Sequence, residues 1–257
     1  MIRPIKNHIY RYTISMNTQK SPIDSLSKYL AQAGVASRRK VVDLIKSKSV
    51  TVNGVMVVEP GFKVRRTDCI RVGENIVRSE AKIYIILNKP KNCITTMSDD
   101  LGRHGVIDII SDQIKQRIYP VGRLDRNATG LLVLTNDGEM TLRLSHPRFE
   151  IEQEYNIQLD KPFTRKDLYT ITTVGVKVED KLITVNEAYF FKGRSKNNLG
   201  IIFNSGQYKI LRTLFEHLGY DIRKVDRVSY AGLAKTGLQV GAWRHLTPAE
   251  VAYLKDR

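Results

Sequence analysis

Residues 119–138 read YPVGRLDRNATGLLVLTNDG. Within them, 131–135 form an apolar run of strand-forming type, closed by the turn signal Asn136-Asp137-Gly138. Working outward, residues 83–87 (IYIIL) make a second such run, ended by Asn88-Lys89-Pro90. Residues 151–159 and 200–203 are further strand candidates, while 163–171 and 210–218 carry helical spacing. Strands outnumber helices, and no regular helical crossovers separate them. The pattern predicts an α+β domain on a mainly antiparallel sheet, spanning 83–257.

Upstream, residues 24–82 read as a separate small module. Leu26, Tyr29, Leu30 and Ala33 recur at helical spacing, and Gly34 stands where that helix stops. Ser37 is placed to cap a second helix that buries Val41, Leu44 and Ile45. An apolar alternating hairpin follows over 50–57, with Asn53-Gly54 as its tight turn. Residues 1–23 hold Arg3, Lys6, Arg11 and Lys20 and no acid; they read as a disordered basic tail. A transit peptide and a start at Met16 are the competing readings of that tail.

The chain has 257 residues, is 42% hydrophobic and carries a formal net charge of +16. That supports a genuine core and a surface drawn to a polyanion, with RNA the foremost partner class. Arg38, Arg39 and Lys40 fill the first turn of the second helix, where cations oppose the helix dipole by a few tenths of a kcal/mol each. Helix amides beside basic side chains suit a phosphate, so the three are read as RNA contacts. The competing reading is a solvated charged face.

Several chemistries are excluded. No GxxxxGK[ST] loop, GxGxxG fingerprint or GxSxG elbow occurs. The five histidines are scattered and the two cysteines are far apart, so no metal-ligand spacing is visible. No stretch has the length of an apolar membrane span. What remains is Asp125, a single carboxylate in a Gly-bounded loop that feeds a buried strand, flanked by Arg123 and Arg126. A carboxylate on a loop anchored by a rigid strand can act as nucleophile or base. On residue chemistry alone, an Asp that merely ties an arginine to fix the loop is the stronger reading.

Two resemblances bear on that choice. Residues 26–58, with "AGVASRR" between two helices and "VNG" after them, resemble the small RNA-binding domain first described in ribosomal protein S-four. "GRLDRNATGLLVLTNDG" is similar to the signature of the RsuA-type ribosomal RNA pseudouridine synthases. "LNKPKNCITT", "RLSHPRFEIEQEYNI", "LRTLFEHLGYDIRKVDRVSYAGL" and "GAWRHLTPAEVAYL" match the same family in order. Together they cover about residues 24–257.

The resemblance implies that Asp125 is the catalytic aspartate. It implies that Tyr155 stacks on the target base, that Arg212 pairs with the aspartate, and that Arg123 holds the place of a flipped-out nucleotide. Without it, Tyr155 reads as a core residue on an alternating strand and Arg212 as a helix-surface cation. Lys209 joins Arg38, Arg39 and Lys40 as an expected RNA contact. It further implies a cofactor-free isomerisation of uridine by a cytoplasmic monomer. The partner would be ribosomal RNA or a pre-ribosomal particle, with large-subunit RNA preferred to small. Four positions depart from the family: Ala128 for a hydroxyl residue, Gln153 for lysine, Ser205 for glutamate and Ile210 for glutamine. The departures at Ala128 and Gln153 lend weight to a rival, a non-catalytic RNA-binding assembly factor, which the basic module supports equally well. The presence of Asp125, Tyr155 and Arg212 together argues against it.

Overall fold

The computed structural model describes residues 24–256 except 98, 100, 179 and 205–207, and leaves the side chains of 208 and 209 undescribed. The expected basic tail, Ser205 and the Lys209 side chain therefore lie outside the described residues. The chain divides into two compact units, one ending at Ser79 and the other beginning at Glu80. The sequence division placed that boundary after residue 82. The Asn136 side chain accounts for the earlier boundary, because it binds Ala81 O and Ile83 N from inside the second unit.

In the first unit, β1 (Asp24–Ser25) leads into α1 (Leu26–Gln32) and α2 (Arg38–Lys46). Ser25 and Ser37 cap the two helices, each hydroxyl accepting from the amide three residues on. The strands β2 (Val50–Val52) and β3 (Val55–Met56) meet at Asn53-Gly54, whose φ values of 52° and 82° fit the predicted tight turn. Then come β4 (Lys63–Val64), which pairs with β1, and β5 (Ile70–Val72) and β6 (Asn75–Ile76), which complete a sheet of order β3-β2-β5-β6. Leu26, Leu30, Val41, Ile45, Val50 and Ile70 form the core. Leu44 is only half buried, and Val55 and Met56 face outward, so the hairpin buries one strand rather than both.

The second unit opens with β7 (Tyr84–Lys89), then β8 (Tyr119–Val121) and β9 (Thr129–Thr135). Helix α3 (Gly138–Ser145), β10 (Gln153–Leu159) and α4 (Arg165–Tyr169) follow. A π turn over Thr170–Val174 leads into the hairpin β11 (Val176–Val178) and β12 (Lys181–Ile183). The chain continues through β13 (Glu187–Phe190), β14 (Asn198–Phe203), α5 (Tyr208–His217), β15 (Ile222–Tyr230) and β16 (Leu233–Ala234). It ends with β17 (Trp243–His245) and α6 (Pro248–Lys255). The main sheet runs β13-β14-β10-β15-β9-β7-β17, with β16 added to β15 and β8 to β9. All its pairings are antiparallel except β9 with β15, so the mainly antiparallel α+β expectation holds.

Alternation along the strands sends side chains to two cores. Ile85, Leu87, Leu132 and Leu134 point to the face covered by α5 through Leu211, Leu214 and Phe215. Ile86, Leu131 and Val133 point to the face covered by α3 and α6 through Met140, Leu144 and Leu254. This two-sided burial is why 83–87 and 131–135 read as unbroken apolar runs.

Candidate active site

The loop between β8 and β9 carries Asp125, and four fastenings hold it. Leu124 is buried and tucks the loop's near side into the core. The Thr95 hydroxyl donates to Leu124 O at 2.7 Å and accepts from Leu124 N at 3.3 Å. Ala128 N donates to Asp125 O at 3.1 Å, closing a turn around the aspartate. On the far side, the Lys89 ammonium donates to Arg126 O at 3.3 Å. Arg123, just before these anchors, and Asp125, Arg126 and Asn127 among them are exposed. A solvent-facing carboxylate on a backbone pinned at both sides is a sound platform for attack or proton removal.

Lys89 itself is wholly buried at the end of β7. Its three donors are matched by Pro90 O at 2.9 Å, Cys93 O at 2.7 Å and Arg126 O. Burial lowers its pKa to about 8, while the nearby charge of Asp125 acts the other way and favours the ammonium.

Strand register sets Lys89 in a row that crosses the sheet. Ile201 of β14, Tyr155 of β10, Arg227 of β15, Gly130 of β9 and Lys89 of β7 are successive cross-strand partners. Gly130 has φ 110°, and a Cβ there would collide with the Arg227 backbone. Only glycine allows the loop to enter the sheet so close to β15. Tyr155 is 1% exposed, and its hydroxyl donates to Gln153 Oε1 at 2.7 Å. Burial raises its pKa, with the charge of Asp125 in the same sense and Arg227 opposing. Asp125, Tyr155 and Arg227 thus lie within electrostatic reach of one another.

The structure brings Tyr155 towards the Asp125 loop but buries the ring in the core to which α5 also contributes. A base can stack on it only after the covering groups are displaced. Among the described residues no ion pair joins Asp125 to Arg123, Arg126 or Arg212. Arg212 is on the exposed side of α5, and the expected pairing is not formed here. The departure at 128 is absorbed apolarly, since Ala128 is buried. The neighbouring Thr129 hydroxyl braces β15 instead, donating to Asp226 Oδ1 at 2.9 Å, and Lys235 pairs with the same carboxylate. In the first unit, Arg38, Arg39 and Lys40 are all exposed in a first helical turn that holds no acid.

Sequence reasoning missed Thr95, Lys89 and Arg227. All three fall inside stretches that carried the family resemblance, and Lys89 stands out as a cation at the end of a strand whose first four residues are apolar. Residues 83–209 match the RNA pseudouridylate synthase family, and residues 25–70 match the S4 domain. The ribosomal large subunit pseudouridine synthase B of Bacillus subtilis is 39% identical, over 91% of this chain and 96% of that protein. The dual-specificity RNA pseudouridine synthase RluF of Escherichia coli is 29% identical, over 88% of this chain and 76% of that one. A pseudouridylate synthase crystal structure shares the fold with a TM-score of 0.63 at 22% identity, covering 90% of this chain and all of the other. With the carboxylate loop, the sheet row behind it and these relatives in agreement, the chain belongs to the RsuA-type RNA pseudouridine synthases that carry an amino-terminal S4 domain.

Proposed function

We propose that this protein converts one uridine of large-subunit ribosomal RNA to pseudouridine, with Asp125 as the catalytic residue. The observation that carries the reading is the loop itself: an exposed carboxylate whose flanking backbone is fastened by Thr95, Lys89 and its own turn. The Bacillus subtilis relative, named for large-subunit RNA, supports the substrate. The target base leaves the RNA stack and enters beside Tyr155, whose ring offers a stacking face worth about 1–3 kcal/mol. The bond from the ribose anomeric carbon to N1 breaks, the uracil turns, and a bond from C5 to the same carbon replaces it. The C5 proton leaves and N1 gains one, so the reaction is an isomerisation with no external reactant. Asp125 serves either by attacking the anomeric carbon or by removing a ribose proton. Arg123 holds the gap left in the RNA, and Arg212 swings to pair with Asp125 once the base is in place.

The test is pseudouridine mapping across both ribosomal RNAs from cells with and without the gene. One site missing from the large-subunit RNA supports the proposal. A site missing only from the small-subunit RNA overturns the substrate, and an unchanged map overturns the activity. Asp125→Asn, supplied in place of the wild type, is expected to leave that site unmodified while the purified variant still binds the RNA. Restoration of the site by this variant would remove Asp125 from the chemistry.

A further inference from the structure

Arg227 is a buried cation that the reaction above does not use. It is 2% exposed and, among the described residues, has no carboxylate partner. Its Nε donates to Leu131 O at 2.7 Å, its Nη1 donates to Gln153 Oε1 at 3.1 Å, and its guanidinium lies 4.2 Å from the Tyr230 ring centre. Its Nη2 is buried and has no hydrogen-bond partner. Keeping an arginine in such a place is costly, and a leucine or methionine of similar volume packs there more cheaply. A purely architectural role does not account for it.

The geometry around Gln153 does. One amide oxygen, Gln153 Oε1, accepts both from Arg227 Nη1 and from the Tyr155 hydroxyl. Arg227 is also the direct cross-strand partner of Tyr155, next to a β-bulge on β15 that shifts the register between Glu154 and Tyr155. A bulge re-aims the side chains beside it, so the ring's direction is not set by the pleat alone. A tyrosine ring turns about two side-chain bonds; fixing its hydroxyl removes most of that freedom. We infer that Arg227 and Gln153 are positioning residues: together they clamp the phenol end of Tyr155 and so aim its ring at the base held over Asp125. This rests on the reading of Tyr155 as the stacking face. It also gives a reason for glutamine at 153, where the family resemblance leads one to expect lysine. An ammonium at 153 would offer no acceptor to either donor and would set a second cation against a buried guanidinium.

The experiment is a double-mutant cycle on the full-length enzyme, reading single-turnover rate and RNA affinity separately. Gln153→Leu and Tyr155→Phe each break the clamp, and each is expected to slow the chemical step by roughly tenfold with RNA affinity kept. The combined variant should be no slower than either alone. Gln153→Glu, which keeps the shared acceptor, should restore most of the rate lost in Gln153→Leu. Fully additive losses in the cycle overturn the inference, as does a glutamate variant as slow as the leucine one. Because Arg227→Met can fail to fold, the clamp is tested at Gln153. Tyr155→Ala separates the two levels: wild-type turnover there defeats the stacking role, whereas a large loss with an additive cycle defeats only the clamp.

Discussion

Replacing Lys89 by methionine tests whether the buried lysine holds the Asp125 loop. The substitution keeps the apolar stem and removes three donors, leaving Pro90 O, Cys93 O and Arg126 O without their partner. A buried acceptor left unsatisfied costs about 1–3 kcal/mol, less for Arg126 O beside the exposed loop. Against this, the substitution recovers the cost of burying an ammonium. The fall in the Lys89 pKa from 10.5 to about 8 puts that cost at about 3 kcal/mol. The net is a loss of roughly 2–3 kcal/mol, or about 5–10 °C in Tm for a domain of this size. Loosening Arg126, next to Asp125, should also slow single turnover by about tenfold or more.

Linkage supplies a second readout of Lys89. Between pH 8 and 10.5 the unfolded lysine holds its proton while the native one has given it up, so wild-type stability rises with pH through that window. The wild type should therefore gain on Lys89→Met by about 2 kcal/mol between pH 7 and 9.5. Urea denaturation at the two pH values, with single-turnover assays on the same preparations, measures both effects. A variant that melts and turns over like wild type, with no widening gap at high pH, refutes the reasoning.

Arg212→Ala should leave stability within about 0.5 kcal/mol, since the side chain is exposed, yet lower the single-turnover rate at saturating RNA. An unchanged rate would show that no pair with Asp125 forms in the complex. Changing Arg38, Arg39 and Lys40 together to alanine should weaken RNA binding and flatten its salt dependence. Each lost phosphate contact lowers the slope of log affinity against log salt by about 0.7–0.9, and a wild-type slope would make that turn a solvated face. Gly130→Ala forces a side chain into the Arg227 backbone at a positive φ. It should cost at least about 3 kcal/mol, and a folded variant with wild-type Tm would contradict the close β9–β15 approach.

What the sequence could reveal of the site followed from local pattern. The carboxylate loop was legible as a Gly-bounded turn ahead of an apolar strand, whereas the role proposed for Asp125 came from the family resemblance, since the residues alone favoured an Asp that fixes the loop. The alternation along β10 already set Gln153, Tyr155, Ile157 and Leu159 on one face, and all four are buried. The partners across the sheet were not legible. That Tyr155 faces Arg227, and Arg227 faces Gly130, depends on register between strands far apart in the chain and on a bulge that no local signal marks. Lys89 read as the polar end of a strand before Pro90. Its burial becomes tolerable only because carbonyls from residues 90, 93 and 126 converge on it, a meeting that exists only in the folded sheet. Arg212 shows the converse, for the resemblance assigned a pairing that the structure does not contain.

The single parallel contact in an otherwise antiparallel sheet has an electrostatic consequence. By running β9 parallel to β15, the fold sets Gly130 level with Arg227 on one side and Lys89 on the other. Two cations are therefore held under the loop that begins β9, both buried and neither ion-paired with a described carboxylate. Had either been neutralised by an acid within the core, its field at Asp125 would largely cancel. Bound instead to carbonyl and amide oxygens, they sit in a low-dielectric setting, where charge acts over a longer range than in water. The direction of that field favours negative charge on the loop. It suits the phosphates on either side of an incoming nucleotide. The cost of burying the two cations, which would weigh against them in a scaffold built for stability alone, is what a site working on a polyanion would be expected to retain.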